Sequence, residues 1–139
     1  MRRYAVLAGR AHGVRVAFTA AGLPALGPEA EAAVYRVGQE ALHNALRHAG
    51  AACVRVALSA TARRVVLEVA DDGHGFVPEV PSGGLGLASM RERASAAGGV
   101  LTIRSGPAGT LVRMTVPRQA GPGASGPGAS GPGVAGGER

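Results

Sequence analysis

The sequence predicts an α/β (α+β) two-layer sandwich, with a mixed, mainly antiparallel sheet carrying helices on one face. Three observations support it. Segments alternating with period two occur in closely spaced pairs, as hairpins require. Two segments of helical period interrupt them, and each runs into glycine. The hydrophobic share is 46%, enough for a core, while aromatics are 3% and Trp is absent, so Ala, Val and Leu must build it.

In order, residues 1–12 read as the remnant of a linker with a short helical turn. Val14–Ala20 sets Val14, Val16 and Phe18 against Arg15, Ala17 and Thr19, a half-buried strand. A turn-rich connection leads to Pro28, which suits a first helical turn, and Glu29 and Glu31 complement the helix dipole there. Ala30, Val34, Val37, Ala41 and Ala45 then recur at helical spacing to about His48, and Gly50 closes the helix. Cys53–Leu58 and Val65–Ala70 read as an antiparallel pair about the turn at 60–63. Asp72–Gly84 is a long glycine- and proline-bearing loop. Leu87, Met90, Ala94 and Ala97 mark a second helix, stopped by Gly98 and Gly99. Val100–Arg104 and Thr110–Val116 form a last hairpin across 105–109.

The structured domain is expected over 13–117. Residues 118–139 are expected to be a disordered tail. GPGAS stands at 121–125 and again at 126–130, with GPGVA at 131–135. Such a repeat has almost no apolar side chain with which to offset its ordering entropy.

Composition narrows the function. The net charge is +6 and every basic residue is arginine, but no basic run exceeds two and no aromatics interleave, which disfavours nucleic acid. No apolar stretch approaches the ~20 residues of a membrane span, and the N-terminus lacks the apolar core of a signal peptide. The single cysteine, Cys53, has no internal partner and fits a reducing compartment. These readings place the chain in the cytoplasm without membrane contact.

Three short motifs carry the chemistry. Glu40 and Asn44 stand at i and i+4, on one helical face flanked by Arg36, His43 and Arg47. Asp71-Asp-Gly73-His-Gly75-Phe76 puts an acid before a glycine-hinged turn at a strand end. Gly84-Leu85-Gly86-Leu87 puts glycines at a helix start, where free N–H groups and the dipole suit phosphates. A polar helix face and a hairpin turn are the ordinary readings of the first two. The length of the loop joining the second motif to the third favours a binding loop or lid. In this order and spacing the three read as a pocket for a magnesium nucleotide.

Glu40-x-x-x-Asn44, Asp71-x-Gly73-x-Gly75, Gly84-x-Gly86 and Gly109-Thr110 resemble the motifs of the Bergerat-fold ATPases. Tyr35 to Ala49, and Gly86-Leu-Ala-Ser-Met-Arg-Glu-Arg93 ahead of Gly98-Gly99, look like the nitrate-sensor-like branch of two-component histidine kinases. The resemblance spans about residues 10–117. It implies ATP and Mg²⁺ as cofactors. Asn44 would ligate Mg²⁺, Glu40 would polarise the attacking nucleophile, and Arg47 would neutralise phosphate charge. Asp71 would accept from the exocyclic amine of adenine, with Thr110 supporting that site. Gly73 and Gly75 would let the backbone approach the base. Gly84 and Gly86 would hinge the lid and touch phosphates. His48, Phe76, Leu85 and Leu87 would complete the ATP pocket.

The resemblance also implies partners: a histidine-bearing dimerisation segment and, through it, a response regulator. Only about a dozen residues precede the first strand, too few for that segment, so the acceptor is expected on other residues or another chain. His12, His43, His48 and His74 read as pocket or surface residues. An anti-sigma-factor-type serine protein kinase and a non-catalytic ATP-binding module are the alternatives.

Overall fold

The computed structural model describes residues 1–21, 26–75 and 86–118. The elements are α1 (Arg2–His12), β1 (Arg15–Ala21), α2 (Pro28–Arg47), β2 (Cys53–Ala60), β3 (Arg64–Asp71), α3 (Leu87–Ala96), β4 (Val100–Gly106) and β5 (Gly109–Pro117). The strands form one five-stranded sheet in the order β1-β2-β3-β5-β4. Among the described residues, only β1 and β2 run parallel; the remaining pairs are antiparallel. The helices pack on one face, with α1 over β1, α2 over the centre and α3 over β4 and β5. The sheet is therefore mixed and mainly antiparallel, the architecture expected for this chain.

Alternation decides which side chains meet the helices. Val54, Val56 and Leu58 of β2, Val65, Leu67 and Val69 of β3, and Val112, Met114 and Val116 of β5 are buried. The intervening residues face away from the helices. α2 answers with Ala30, Val34, Val37, Ala41 and Ala45 along one stripe, joined by Leu42. Among the described residues, the buried hydrophobic side chains are Ala, Val, Leu and Met, with no aromatic ring. Small side chains permit close layers. On α2, Gly38 leaves a notch that the Met1 thioether methyl fills.

Two elements differ from the sequence reading. The N-terminal segment is an eleven-residue helix, not a single turn, and it buries Ala5 and Gly9. Gly9 packs against Val16 at a separation that admits no Cβ. Arg2 lies 4.8 Å from the Phe18 ring centroid and donates to the Phe18 carbonyl at 3.1 Å. This segment is thus packed on the sheet. The last hairpin is also tighter than expected, since its strands run on to Gly106 and Gly109 and leave only Pro107 and Ala108 between them. The loop at 76–85 and the tail from 119 lie outside the described residues.

Candidate functional site

The site begins on the C-terminal half of α2. The apolar stripe holds the helix to the sheet, and Glu40 and Asn44 flank that stripe one turn apart. Asn44 is 8% exposed, a buried polar residue beside Ala41 and Ala45. Glu40 is half-buried, while Arg47 and His48 stand exposed at the helix end. There the cation of Arg47 complements the negative end of the dipole. The His43 and His48 rings meet edge to face, 6.3 Å between centroids.

The second motif is tied to the end of this helix. After β3 the chain turns, and the Gly73 N–H donates to Asp71 Oδ1 at 2.8 Å, an Asx-type turn. The His74 N–H donates to the Ala49 carbonyl at 2.9 Å, fastening the turn to the residue just beyond α2. A Cβ on Gly73 would collide with that same carbonyl. At Gly75, φ is +76° and a Cβ would collide with the Gly106 carbonyl of the last hairpin. Both glycines thus have a reason inside the protein: they let three backbone segments converge.

The adjacent carboxylates are set apart by their surroundings. Asp72 is exposed, and its Oδ1 accepts from the N–H groups of Ala52 at 2.9 Å and Cys53 at 3.0 Å. The Cys53 N–H first, with the others, holds the Asp72 carboxyl below its ordinary range. Asp72 thus fastens the turn to β2. Asp71 has the parity of Val65, Leu67 and Val69 and faces the helix layer. Burial pushes its carboxyl up, against the backbone N–H groups of Gly73 and Thr110, which pull it down. Directly across the ladder from Asp71 is Thr110, buried, with its hydroxyl 2.7 Å from that of Ser105. Asp71, Thr110 and Ser105 form a polar row across β3, β5 and β4.

The third motif arrives from the other side. Gly86 is the N-cap of α3, with φ +66°. The Glu40 carboxylate occupies the place that a Gly86 Cβ would take. Glu40 is thus brought to the N-terminal end of α3, where main-chain N–H groups lack helical partners. Leu87 packs against the core and anchors the start of α3.

The structure therefore joins Glu40 to Gly86, the Asp71–Gly75 turn to the end of α2, and Asp71 to Thr110. Phe76, Gly84 and Leu85 lie outside the described residues. Two polar residues were missed from sequence. Ser105 could have been found from the parity of Leu101, Ile103 and Ser105, had the hairpin register been known. Asp72 is indistinguishable from Asp71 by residue type, and only strand parity separates them. As donors, Glu40 and Asn44 offer the hard oxygens that Mg²⁺ takes. Among the described residues there is no group of three or more His, Cys, Asp or Glu side chains placed to hold a metal.

Comparison with known proteins fits this geometry. The family described as histidine kinase-, DNA gyrase B-, and HSP90-like ATPase matches residues 29–120. The sensor histidine kinase MctS of Rhizobium johnstonii is 43% identical over 96 residues, 66% of this chain and 21% of that protein. The oxygen sensor histidine kinase NreB of Staphylococcus carnosus is 45% identical over 92 residues, 64% of this chain and 26% of that protein. The sensor histidine kinase NarS of Mycobacterium tuberculosis is 43% identical over 89 residues, 60% of this chain and 21% of that protein. The chain thus spans about a fifth to a quarter of the length of these curated relatives. In structure, the blue-light activated histidine kinase of Erythrobacter litoralis EL346 aligns with a TM-score of 0.72 at 23% identity, over 84% of this chain and 40% of that chain. With the motifs converging on α2 and the match covering most of the sheet, this chain belongs to the histidine kinase-, DNA gyrase B- and HSP90-like ATPase family, and resembles its sensor histidine kinases.

Proposed function

We propose that this chain is the ATP-binding catalytic unit of a two-component sensor histidine kinase. It binds ATP with Mg²⁺ and passes the γ-phosphate to a histidine on a separate dimerisation segment, which in turn supplies a response regulator. The observation that carries this is the Glu40–Gly86 contact, which puts a carboxylate at the helix start where phosphates would sit. Beyond the C-terminal end of α2, half-buried Asp71 beside buried Thr110 offers an acceptor for an adenine amine.

Glu40 would hold the nucleophile in place, and Asn44 would offer its amide oxygen to the metal. Mg²⁺ bound with phosphates needs only one or two protein oxygens, so this donor set fits it. When bound, the ion supplies neutralisation of phosphate charge. Arg47, exposed at the helix end, would meet phosphate oxygens. His48, Gly73, Gly75 and Leu87, with Phe76, Gly84 and Leu85, would complete the pocket. Phosphoryl transfer rests mainly on positioning and charge neutralisation, which this set provides on the nucleotide side. We place the unit in the cytoplasm, where ATP is available and a lone cysteine stays reduced.

The test is incubation with γ-labelled ATP, alone and with the dimerisation segment of a related sensor kinase. The chain alone should bind ATP without labelling itself. With the segment, acid-labile label should appear on the segment's histidine. Acid-stable label on a protein partner would replace this reading with a serine kinase. Binding without any transfer would leave a non-catalytic ATP module.

A further inference from the structure

The sheet face turned away from the helices carries a second recognition surface. In register, Ala17, Arg55, Ala70, Leu111 and Arg104 form one row across all five strands. The next row is Thr19, Ala57, Glu68, Arg113 and Thr102. A groove of about 520 Å³ runs over Ala57 and Ala70, is reached by Arg55, Glu68 and Arg104, and extends past the hairpin at 106–109 to Asp71 and Thr110.

The charges here are unequally satisfied. Arg113 pairs with Glu68 at 3.1 Å. Arg15 lies in the field of Asp72 and helps to hold that carboxyl down. Arg55 and Arg104, both exposed, make no ion pair among the described residues. Two unneutralised guanidiniums thus stand at either side of a shallow floor of small side chains.

We propose that this open face docks an acidic segment of another protein. The segment would cross the Ala57–Ala70 floor with carboxylates at Arg55 and Arg104, which favour bidentate pairing. Those arginines are three strand intervals apart, about 14 Å at ~4.8 Å per interval, which an extended peptide covers in about four residues. Other occupants fit worse. A second copy would bring a face whose one acid in these rows, Glu68, is already paired with Arg113. The segment 119–139 holds one acid, Glu138, beside Arg139. Single-stranded nucleic acid wants aromatic stacking platforms, and none of the described residues on this face is aromatic. The proposal does not rest on the nucleotide reading: Arg55 and Arg104 have the parity of the open face, although the far rim of the groove reaches Asp71 and Thr110.

The probe is a fluorescein-labelled peptide with glutamates repeating every fourth residue and serine and alanine between them. It is titrated with the full chain at low salt and read by anisotropy. The double variant Arg55→Glu, Arg104→Glu should weaken binding by about tenfold or more. The charge-matched control Arg63→Glu, Arg64→Glu, at the start of β3 and the opposite end of the strands from Arg55 and Arg104, should stay within about twofold. Arg55→Gln, Arg104→Gln should fall between, and all three should keep the wild-type thermal midpoint. Absence of peptide binding would overturn the proposal, as would equal loss in the face variant and the control. A uridine oligonucleotide binding more tightly than the peptide, with the same dependence on Arg55 and Arg104, would overturn it in favour of nucleic acid.

Discussion

Replacing Asp71 with Asn separates base recognition from folding. The Asp71 carboxylate has two tasks in this structure. Oδ1 accepts the Gly73 N–H at 2.8 Å, and the group faces the helix layer beside Thr110. Asn keeps an oxygen for Gly73 but turns the other acceptor into an NH₂ donor. An adenine amine would then meet a donor, leaving a buried polar group unpaired at about 1–3 kcal/mol. That is roughly a fivefold to hundredfold loss of ATP affinity. Stability should move the other way. Burial is the largest influence on Asp71 and raises its pKa above 3.8. A raised folded pKa gives stability that is present below 3.8 and lost as pH rises through the folded value. Near neutral pH the wild type therefore carries a half-buried charge that the Asn variant lacks. The variant should melt no lower than wild type at neutral pH, and its advantage should vanish in acid. Calorimetric ATP titration and thermal melts across that window test both halves. Wild-type ATP affinity in the variant would refute the placement of the base, and a lowered neutral midpoint would refute the assignment of the charge penalty.

Other substitutions probe the remaining parts. Glu40→Gln should keep ATP affinity and slow transfer, whereas Asn44→Ala should remove the Mg²⁺ dependence of binding; equal loss of affinity in both would show the roles misassigned. Gly86→Ala puts a side chain at φ +66° and into the Glu40 carboxylate, so a midpoint loss matching at least ~1–2 kcal/mol should accompany lost transfer. Leu67→Ala, under fully buried β3 packing, should cost about 2–5 kcal/mol in denaturant unfolding and leave residual ATP binding intact where folded. Deleting 119–139 should leave both the midpoint and ATP affinity unchanged, since that repeat offers almost no apolar side chain.

The elements that could be read from sequence were those whose pattern is local. Alternation in β2, β3 and β5 and the stripe of α2 gave the core face almost residue by residue. Helix α1 was underestimated because it buries Ala5 and Gly9, residues that leave no strong apolar period; its partner Val16 supplies the burial. The pairing of β3 with β5, not β4, is a tertiary choice, yet it sets Thr110 beside Asp71 and brings Ser105 into the row. The family resemblance assigns Gly73 and Gly75 to the nucleotide. The structure shows their closest approaches to be to Ala49 and Gly106, constraints made by distant backbone that no local pattern reports.

The parallel pairing of β1 with β2 has a consequence for how the chain reaches this state. Antiparallel β2 and β3 close through a turn in which the Thr61 hydroxyl accepts from Arg63 and Arg64, and β4 and β5 close across Pro107 and Ala108. These are short loops with little closure entropy. The β1–β2 ladder instead matches Arg15 to Cys53, with all of α2 between them. Its formation waits on a longer excursion of chain, so hairpins and α2 would form the nucleus and β1 with α1 would join at the edge last. Amide exchange should then open α1 and β1 at lower free energy than β3, while the residues of the nucleotide face, all carried by α2 onward, stay in the slower-exchanging unit.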